Sequence, residues 1–312
     1  MPDRLTNLLQ ERVLQARSAL QTKQRFDELH TGPWTVEEFL SEGRLRVGDI
    51  VLYARFGNLL SAFVKWATGS DFSHAGMIYY TPKQDEGLEH HFMIEADQNG
   101  VDLSPIKPYM QDPAVVIAIL RMPDRKAWHD KQLFQEMRGR MMETISDAYD
   151  FRTIERLAIE SIKTAMFGIE SLVRGSRVTI SSMRERKPSS LPHAFICSGL
   201  VQVGYTFACL EAIKRNEVRP ETIKDTVFRN DLLDWFEPKW SNYTARGKVD
   251  QAEELYRSFV GDLEATTPAD IASSENLQWQ YLSIGGQVRK VSSGGEALEI
   301  MRSRTRRLIN AA

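Results

Sequence analysis

Apolar side chains in the first third of the chain alternate with other residues in short, β-branched runs that are bounded by turn-forming residues. This pattern is typical of β-strands. We predict strands over residues 45–54, 74–80, 91–96 and 115–121. Two short helices accompany them, one from Thr35 to near Gly43 and one over 58–66 that ends at Gly69. Together the strands predict a small, mostly antiparallel sheet.

From residue 127 onward the apolar positions follow helical spacing instead. The predicted helices cover about 127–147, 152–174, 197–216, 228–236, 249–264 and 268–274. An amphipathic helix is also predicted near the start, over 4–29. A run of strands followed by a run of helices favours the α+β class over an alternating, parallel fold.

The chain has 312 residues, of which 42% are hydrophobic, so it can form a sizeable core. We predict one main domain over 43–285, which carries a helical insert at about 125–192. An N-terminal helical extension, 1–42, precedes it, and a basic tail, 286–312, follows it. We expect the tail to be solvated and partly disordered, with phosphate or partner binding as the alternative.

The formal net charge of −2 gives no overall field that would favour nucleic acid. The first residues are charged and lack the apolar core of a secretory signal, and no uncharged stretch reaches the ~18 residues of a membrane span. These features predict a soluble, cytoplasmic protein without a transmembrane segment.

Cys197 is the first candidate for chemistry, because the apolar spacing after it places it in the first turn of a helix. Unpaired N–H groups and the helix dipole there favour a thiolate and can bind an oxyanion. The alternative is a buried structural cysteine, which is what we expect of Cys209. The two cysteines are about 18 Å apart along one helix, which is too far for a disulfide.

A thiolate nucleophile needs a base, and His74 is the favoured candidate because small residues follow it at the start of a strand. His193, four positions before the cysteine, competes with it. Glu95 is an acidic residue inside an apolar strand and could orient the base histidine or form a structural ion pair with an arginine. His90 and His91 raise the alternative of a metal site, but no third ligand stands at a recognisable spacing.

The following segments occur in order along the chain: Gly48-Asp49-Ile50-Val51, Ser73-His74-Ala75-Gly76-Met77-Ile78, Ile94-Glu95-Ala96, Cys197-Ser198-Gly199-Leu200-Val201 and Thr267-Pro268-Ala269-Asp270-Ile271. Together they resemble the permuted papain-like hydrolases of the YiiX/YaeF-like branch of the NlpC cell-wall peptidase superfamily, a branch related to the lecithin:retinol acyltransferase group. In this group the histidine precedes the cysteine because the chain is circularly permuted. The resemblance covers roughly residues 43 to 285.

The resemblance implies Cys197 as the nucleophile, His74 as general base and acid, and Glu95 as the residue that orients the imidazole. It also implies an antiparallel sheet packed against the helix that carries the cysteine. We expect a hydrolase that cleaves an amide, ester or thioester through an acyl-enzyme, without metal or cofactor. Tyr53 is a candidate second oxyanion donor beside the Cys197 N–H. Asp49 is interpreted as a turn or strand-start residue.

The expected substrate is a small-molecule, lipid or peptide acyl compound, with an acyl-lipid or a small-peptide amide favoured over a folded protein. Two alternatives stay open: a non-catalytic binding module of the same fold, and an acyltransferase that uses the same site. Many relatives are exported cell-wall enzymes, whereas this chain shows no export signal, so a peptidoglycan substrate is not expected. The helical insert would reshape or cover the site.

Overall fold

The computed structural model describes residues 34–82, 87–97, 99–123, 131–143, 148–149, 194–195, 197–233 and 262–310. The helices predicted over 4–29 and 152–174 lie outside these ranges, as does His193. The described residues have mixed α and β structure with a single antiparallel main sheet, so the α+β class is confirmed.

The main sheet has eight strands, twice the number predicted from the sequence. The strands are β1 (Trp34–Thr35), β2 (Ile50–Arg55), β3 (His74–Tyr80), β4 (Phe92–Asp97), β5 (Gly100–Pro105), β6 (Val115–Arg121), β9 (Gln278–Ile284) and β10 (Gln287–Lys290). Their order across the sheet is β1-β10-β9-β6-β2-β3-β4-β5, and every neighbouring pair is antiparallel. A separate parallel pair joins β7 (Ala148–Tyr149) to β8 (Ala194–Phe195).

Besides two 3-10 helices, Leu88–His90 and Pro220–Thr226, seven α-helices are described with both of their bounds along these ranges. They are α1 (Val36–Ser41), α2 (Leu59–Thr68), α3 (Ile106–Gln111), α4 (Lys131–Glu143), α5 (Cys197–Lys214), α6 (Pro268–Ala272) and α7 (Gly294–Asn310). Local signals fix several of their ends: Thr35 forms a capping box with Glu38 at α1, and Gly69 ends α2 in the left-handed conformation. Among the helices that the structure describes, none combines the length and apolarity that crossing a bilayer would need.

Both faces of the sheet are covered. Alternate residues of β2, such as Ile50 and Leu52, belong to a core shared with α4, α5 and α7, while Val51 faces the opposite core, which is shared with α1 and α3. The strands therefore consist of nearly continuous apolar runs, as in β6. Helix α5 is buried on nearly all sides, beyond the single apolar underside that its sequence predicts.

The predicted domain boundaries need two corrections. Within the predicted tail, residues 286–310 are not a disordered segment outside the domain, because β10 pairs with β9 and α7 follows it as far as Asn310. At the other end, β1 pairs with β10, so residues 34–42 belong to the sheet domain and not to an extension. Gly285 and Gly286, both at positive φ, form the two-residue turn that joins β9 to β10.

Candidate active site

The site forms where β3 begins, on the sheet face opposite to most of α5. His74 is the first residue of β3 and lies directly opposite Tyr53 of β2. Two residues along the strand, Gly76 lies opposite Glu95 of β4. Because side chains alternate across a strand, the histidine, the tyrosine and the glutamate share one face of the sheet.

Gly76 lies where β4 passes close to β3. A Cβ atom at Gly76 would lie 3.0 Å from the Ile94 carbonyl oxygen and 3.4 Å from the Glu95 Cβ. The first separation is tighter than ordinary van der Waals contact and the second is at its lower limit, so a side chain here would displace the backbone of the strand that carries Glu95.

The His74 ring and the Glu95 carboxylate are in close contact. Nε2 of His74 lies 2.8 Å from Oε2 of Glu95, and the two side chains are only 12% and 2% exposed. At this distance a protonated imidazole and the ionised carboxylate form a close, buried ion pair. The carboxylate can therefore orient the ring.

Three hydroxyl groups complete the surroundings of the carboxylate. Tyr53 donates to Oε2 over 2.9 Å, Tyr109 of α3 donates to Oε1 over 2.9 Å, and the Ser104 side chain also hydrogen-bonds the group. Burial by itself would raise the pKa of Glu95, but His74 together with Ser104 and Tyr53 lowers that pKa to about 2. Glu95 is therefore a fixed negative charge at neutral pH.

Cys197 is the first residue of α5 and is only 3% exposed. Its sulfur accepts hydrogen bonds from the backbone N–H groups of Ala75 and Ser198, and it also hydrogen-bonds the His74 side chain. The sulfur therefore contacts both the histidine of β3 and a backbone donor in the first turn of α5. His74 and Cys197 come into contact although they are 123 positions apart in the sequence.

The first turn of α5 is held in place by the segment that precedes α6. The Ser198 hydroxyl donates to the carbonyl oxygen of Thr266 over 2.5 Å. A Cβ at Gly199 would overlap the backbone carbonyl of Glu264, so only glycine fits there. The small polar residues after the cysteine are thus explained by close packing of this segment against the helix start.

The groups around Cys197 and His74 favour the charged form of each side chain, the thiolate and the imidazolium. Burial opposes ionisation of the Cys197 thiol, yet the neighbouring His74 and the two backbone N–H donors lower its pKa below the ordinary value. Burial would likewise lower the pKa of His74, but Cys197 and Glu95 raise it to about 10. Near neutral pH this arrangement can hold a thiolate beside an imidazolium.

Three of the other sequence-predicted residues have clear places. Tyr53 lies at the site, but its single hydroxyl proton is donated to Glu95, so this geometry leaves none for an oxyanion. Asp49 is buried and forms two hydrogen bonds with Arg121, which agrees with a structural role. Cys209 is fully buried, and burial raises the pKa of its thiol.

Of the competing histidines, the structure describes His90 and His91. His91 is buried, and its Nδ1 lies 3.0 Å from the Leu88 carbonyl oxygen. Within the described ranges, no cluster of three or more His, Cys, Asp or Glu side chains is placed to hold a metal ion. His193 cannot be compared with His74, since it lies outside those ranges.

Sequence reasoning missed Tyr109 and Ser104. Ser104 belongs to β5, which is not among the strands predicted from the sequence, and Tyr109 belongs to the short helix after it. The alternation of Val101 and Leu103 with polar residues was an available signal for the strand. No local pattern indicates that either hydroxyl would reach Glu95.

No protein-family model matches this chain, and no curated protein matches it either. The chemistry of the site is therefore inferred from the geometry and charges described above.

Proposed function

We propose that this chain is a cysteine-dependent hydrolase that cleaves an amide, ester or thioester through an acyl-enzyme on Cys197. The observation that carries the proposal is the contact of the Cys197 sulfur with His74, whose Nε2 lies 2.8 Å from the buried carboxylate of Glu95. A nucleophile, a proton carrier and a group that orients the carrier are the three parts that such chemistry needs.

The reaction would begin with attack of the Cys197 thiolate on the substrate carbonyl carbon. The developing oxyanion would be stabilised by N–H groups of the first turn of α5, which have no acceptor within the helix. His74 would give its proton to the leaving amine, alcohol or thiol as the acyl-enzyme forms. It would then take a proton from water, whose oxygen attacks the acyl carbon and releases the acid and the thiolate.

We also propose that the fold is the permuted papain-like one. Support comes from an antiparallel sheet that carries the histidine early in the chain, and from a later, buried helix that carries the cysteine at its start. Glu264 and Thr266, in the segment before α6, pack against the start of this helix and hold its first turn in place. The resemblance of motifs in the same order is consistent with this topology.

We propose a substrate with an apolar acyl group, bound along α2. Helix α2 is connected to the site by a 2.6 Å hydrogen bond between Ser61 and Ser73, the residue before His74. The same helix exposes Leu59 by 66% and Phe63 by 37%. Because these residues lie two positions to either side of Ser61, they belong to the side of α2 that faces away from Ser73, and the hydrocarbon part of an acyl-lipid or of an apolar peptide would pack there.

The proposal can be tested by intact-protein mass spectrometry after exposure to a set of activity-based acyl probes. We expect one adduct, mapped to Cys197 by peptide analysis, with a preference for apolar acyl groups. Cys209→Ala is the matched control, because it removes the other cysteine and should leave the adduct in place. A folded protein that forms no Cys197 adduct with any probe would refute the hydrolase proposal.

The two alternatives predict different outcomes. A non-catalytic binding module would show a Cys197 thiol with the ordinary pKa of about 8.5 when alkylation by iodoacetamide is followed against pH. An acyltransferase would form the same adduct but pass the acyl group to an added amine or alcohol faster than to water. Product analysis with and without such an acceptor separates transfer from hydrolysis.

A further inference from the structure

Tyr109 stands out because its hydroxyl is part of the site although its helix lies in a different layer from the cysteine. Helix α3 follows β5 directly and buries Ile106 and Met110 against the sheet. The Ile106 N–H also donates to the His91 carbonyl oxygen over 2.9 Å. These contacts fix the helix, and the helix in turn fixes the ring of Tyr109.

Each oxygen of the Glu95 carboxylate has its own tyrosine. Tyr109 donates to Oε1 and Tyr53 to Oε2, both over 2.9 Å, and Oε2 is also the atom that faces His74. The two tyrosine rings lie 5.3 Å apart between centroids, and the Tyr53 ring lies 4.5 Å from that of His74. The carboxylate is thus held at both ends by groups from two separate elements.

We infer that Tyr109 is a positioning residue for the proposed reaction, because its hydroxyl anchors Oε1 of Glu95 and so keeps Oε2 against the His74 ring. The inference rests on the proposed function, since positioning matters only if His74 moves protons. Tyr109 itself does not contact the Cys197 sulfur through any described bond, so its influence passes through the glutamate.

The reason lies in the freedom of a carboxylate. A carboxylate can rotate about the last bond of the glutamate side chain, and a donor that α3 fixes against Oε1 restricts that rotation beyond what Tyr53 and Ser104 do. The groups that face Glu95 are Tyr53 from β2, His74 from β3, Ser104 from β5 and Tyr109 from α3. Only Ser104 and Tyr53 would remain as hydroxyl donors if the Tyr109 hydroxyl were removed.

Tyr109→Phe tests the inference, with Tyr205→Phe as the matched control. Tyr205 is also a buried tyrosine whose hydroxyl donates to a backbone carbonyl, that of Gly48, away from Glu95. We expect the pKa of Glu95, followed by carbon NMR of its carboxyl group, to rise in Tyr109→Phe from about 2 to between about 3 and 4. The control should leave that pKa unchanged.

The kinetic readout is the rate of Cys197 acylation by the best acyl probe. We expect the maximal rate of Tyr109→Phe to fall about tenfold with an unchanged concentration dependence, because substrate binding is untouched. An unaltered Glu95 pKa, or an equal change in Tyr205→Phe, would overturn the inference. Absence of acylation in the parent protein would instead count against the proposed function, while the NMR titration still decides the role of Tyr109.

A second measurement covers the case in which Tyr109→Phe does not fold. Burial and the charge of Glu95 raise the pKa of Tyr109 to about 12, and this phenol can be titrated by its ultraviolet absorbance. In Glu95→Gln the Tyr109 pKa should fall, since the carboxylate no longer accepts its proton. An unchanged Tyr109 titration would show that the two groups do not interact and would overturn the inference.

Discussion

Replacing Glu95 by glutamine should narrow the pH range in which the Cys197 thiolate and the His74 imidazolium exist together. It should do so by lowering the upper pH limit of that range, which the pKa of His74 sets. The pKa of His74 is raised to about 10, so the imidazolium and its favourable contacts are present below neutral pH and are lost as the pH rises through that value. Glutamine keeps the shape of Glu95 but removes the negative charge 2.8 Å from Nε2.

The size of the effect follows from the contact. An opposite charge at this range shifts a pKa by roughly 1 to 3. The pKa of His74 should therefore fall from about 10 to between about 7 and 9 in Glu95→Gln. The lower pH limit, which the pKa of the Cys197 thiol sets, should stay unchanged or fall slightly. The thiol still faces a protonated histidine, and it loses the negative charge of Glu95, which disfavours the thiolate.

Two titrations measure these limits. The upper limit is measured by an NMR titration of the His74 ring resonances, which are assigned by their absence in His74→Gln. The lower limit is measured by following the ultraviolet absorbance of the thiolate against pH. Asp49→Asn is the matched control: it also neutralises a buried carboxylate, but one that is paired with Arg121. The control should lower the free energy of unfolding and leave the His74 titration as in the parent.

Either of two results would refute the reasoning. If folded Glu95→Gln keeps the His74 pKa of the parent, then the carboxylate does not act on the imidazole. If both the Glu95 and the Asp49 variants shift the His74 pKa equally, the cause is general loosening of the structure and not the specific contact.

Three further predictions concern other parts of the site. Cys197→Ala should abolish the acyl adduct while changing the free energy of unfolding by about 1 kcal/mol or less, as measured by urea denaturation; an adduct in this variant would place the nucleophile elsewhere. Gly199→Ala should lower that free energy by about 1 to 3 kcal/mol, because its Cβ overlaps the Glu264 carbonyl, and an unchanged denaturation midpoint would contradict the packing. The double change Leu59→Ser and Phe63→Ser should slow acylation by a long-chain probe about tenfold relative to a short-chain probe, and equal slowing would remove α2 from substrate binding.

Much of the local structure was predictable. The strands over 74–80 and 115–121 and the helix that starts at Cys197 agree with the structure to within a few residues. Their signals lie within a few positions of one another, as apolar periodicity or a capping residue. The Gly285-Gly286 turn between two alternating runs was a usable signal as well, and it would have revealed β9 and β10.

The site was predictable in its members more than in its arrangement. His74, Glu95 and Cys197 could be selected because each residue type is unusual in its local pattern, and the structure brings all three into contact. The Tyr53 hydroxyl has a different partner from the predicted one. Tyr109 could not be selected, since a tyrosine on a short helix gives no sign of what its hydroxyl will meet.

By itself, then, the sequence identified four of the eight strands of the main sheet, several of the helices and the side chains that are able to do chemistry. The tertiary structure decided the order of the eight strands, the place of the C-terminal residues in the sheet and the partners of Glu95. It also decided the pKa values of His74 and Cys197. The physical reason is range: periodicity and capping act over a few residues, whereas strand pairing, burial and charge contact depend on groups that only the complete fold brings together.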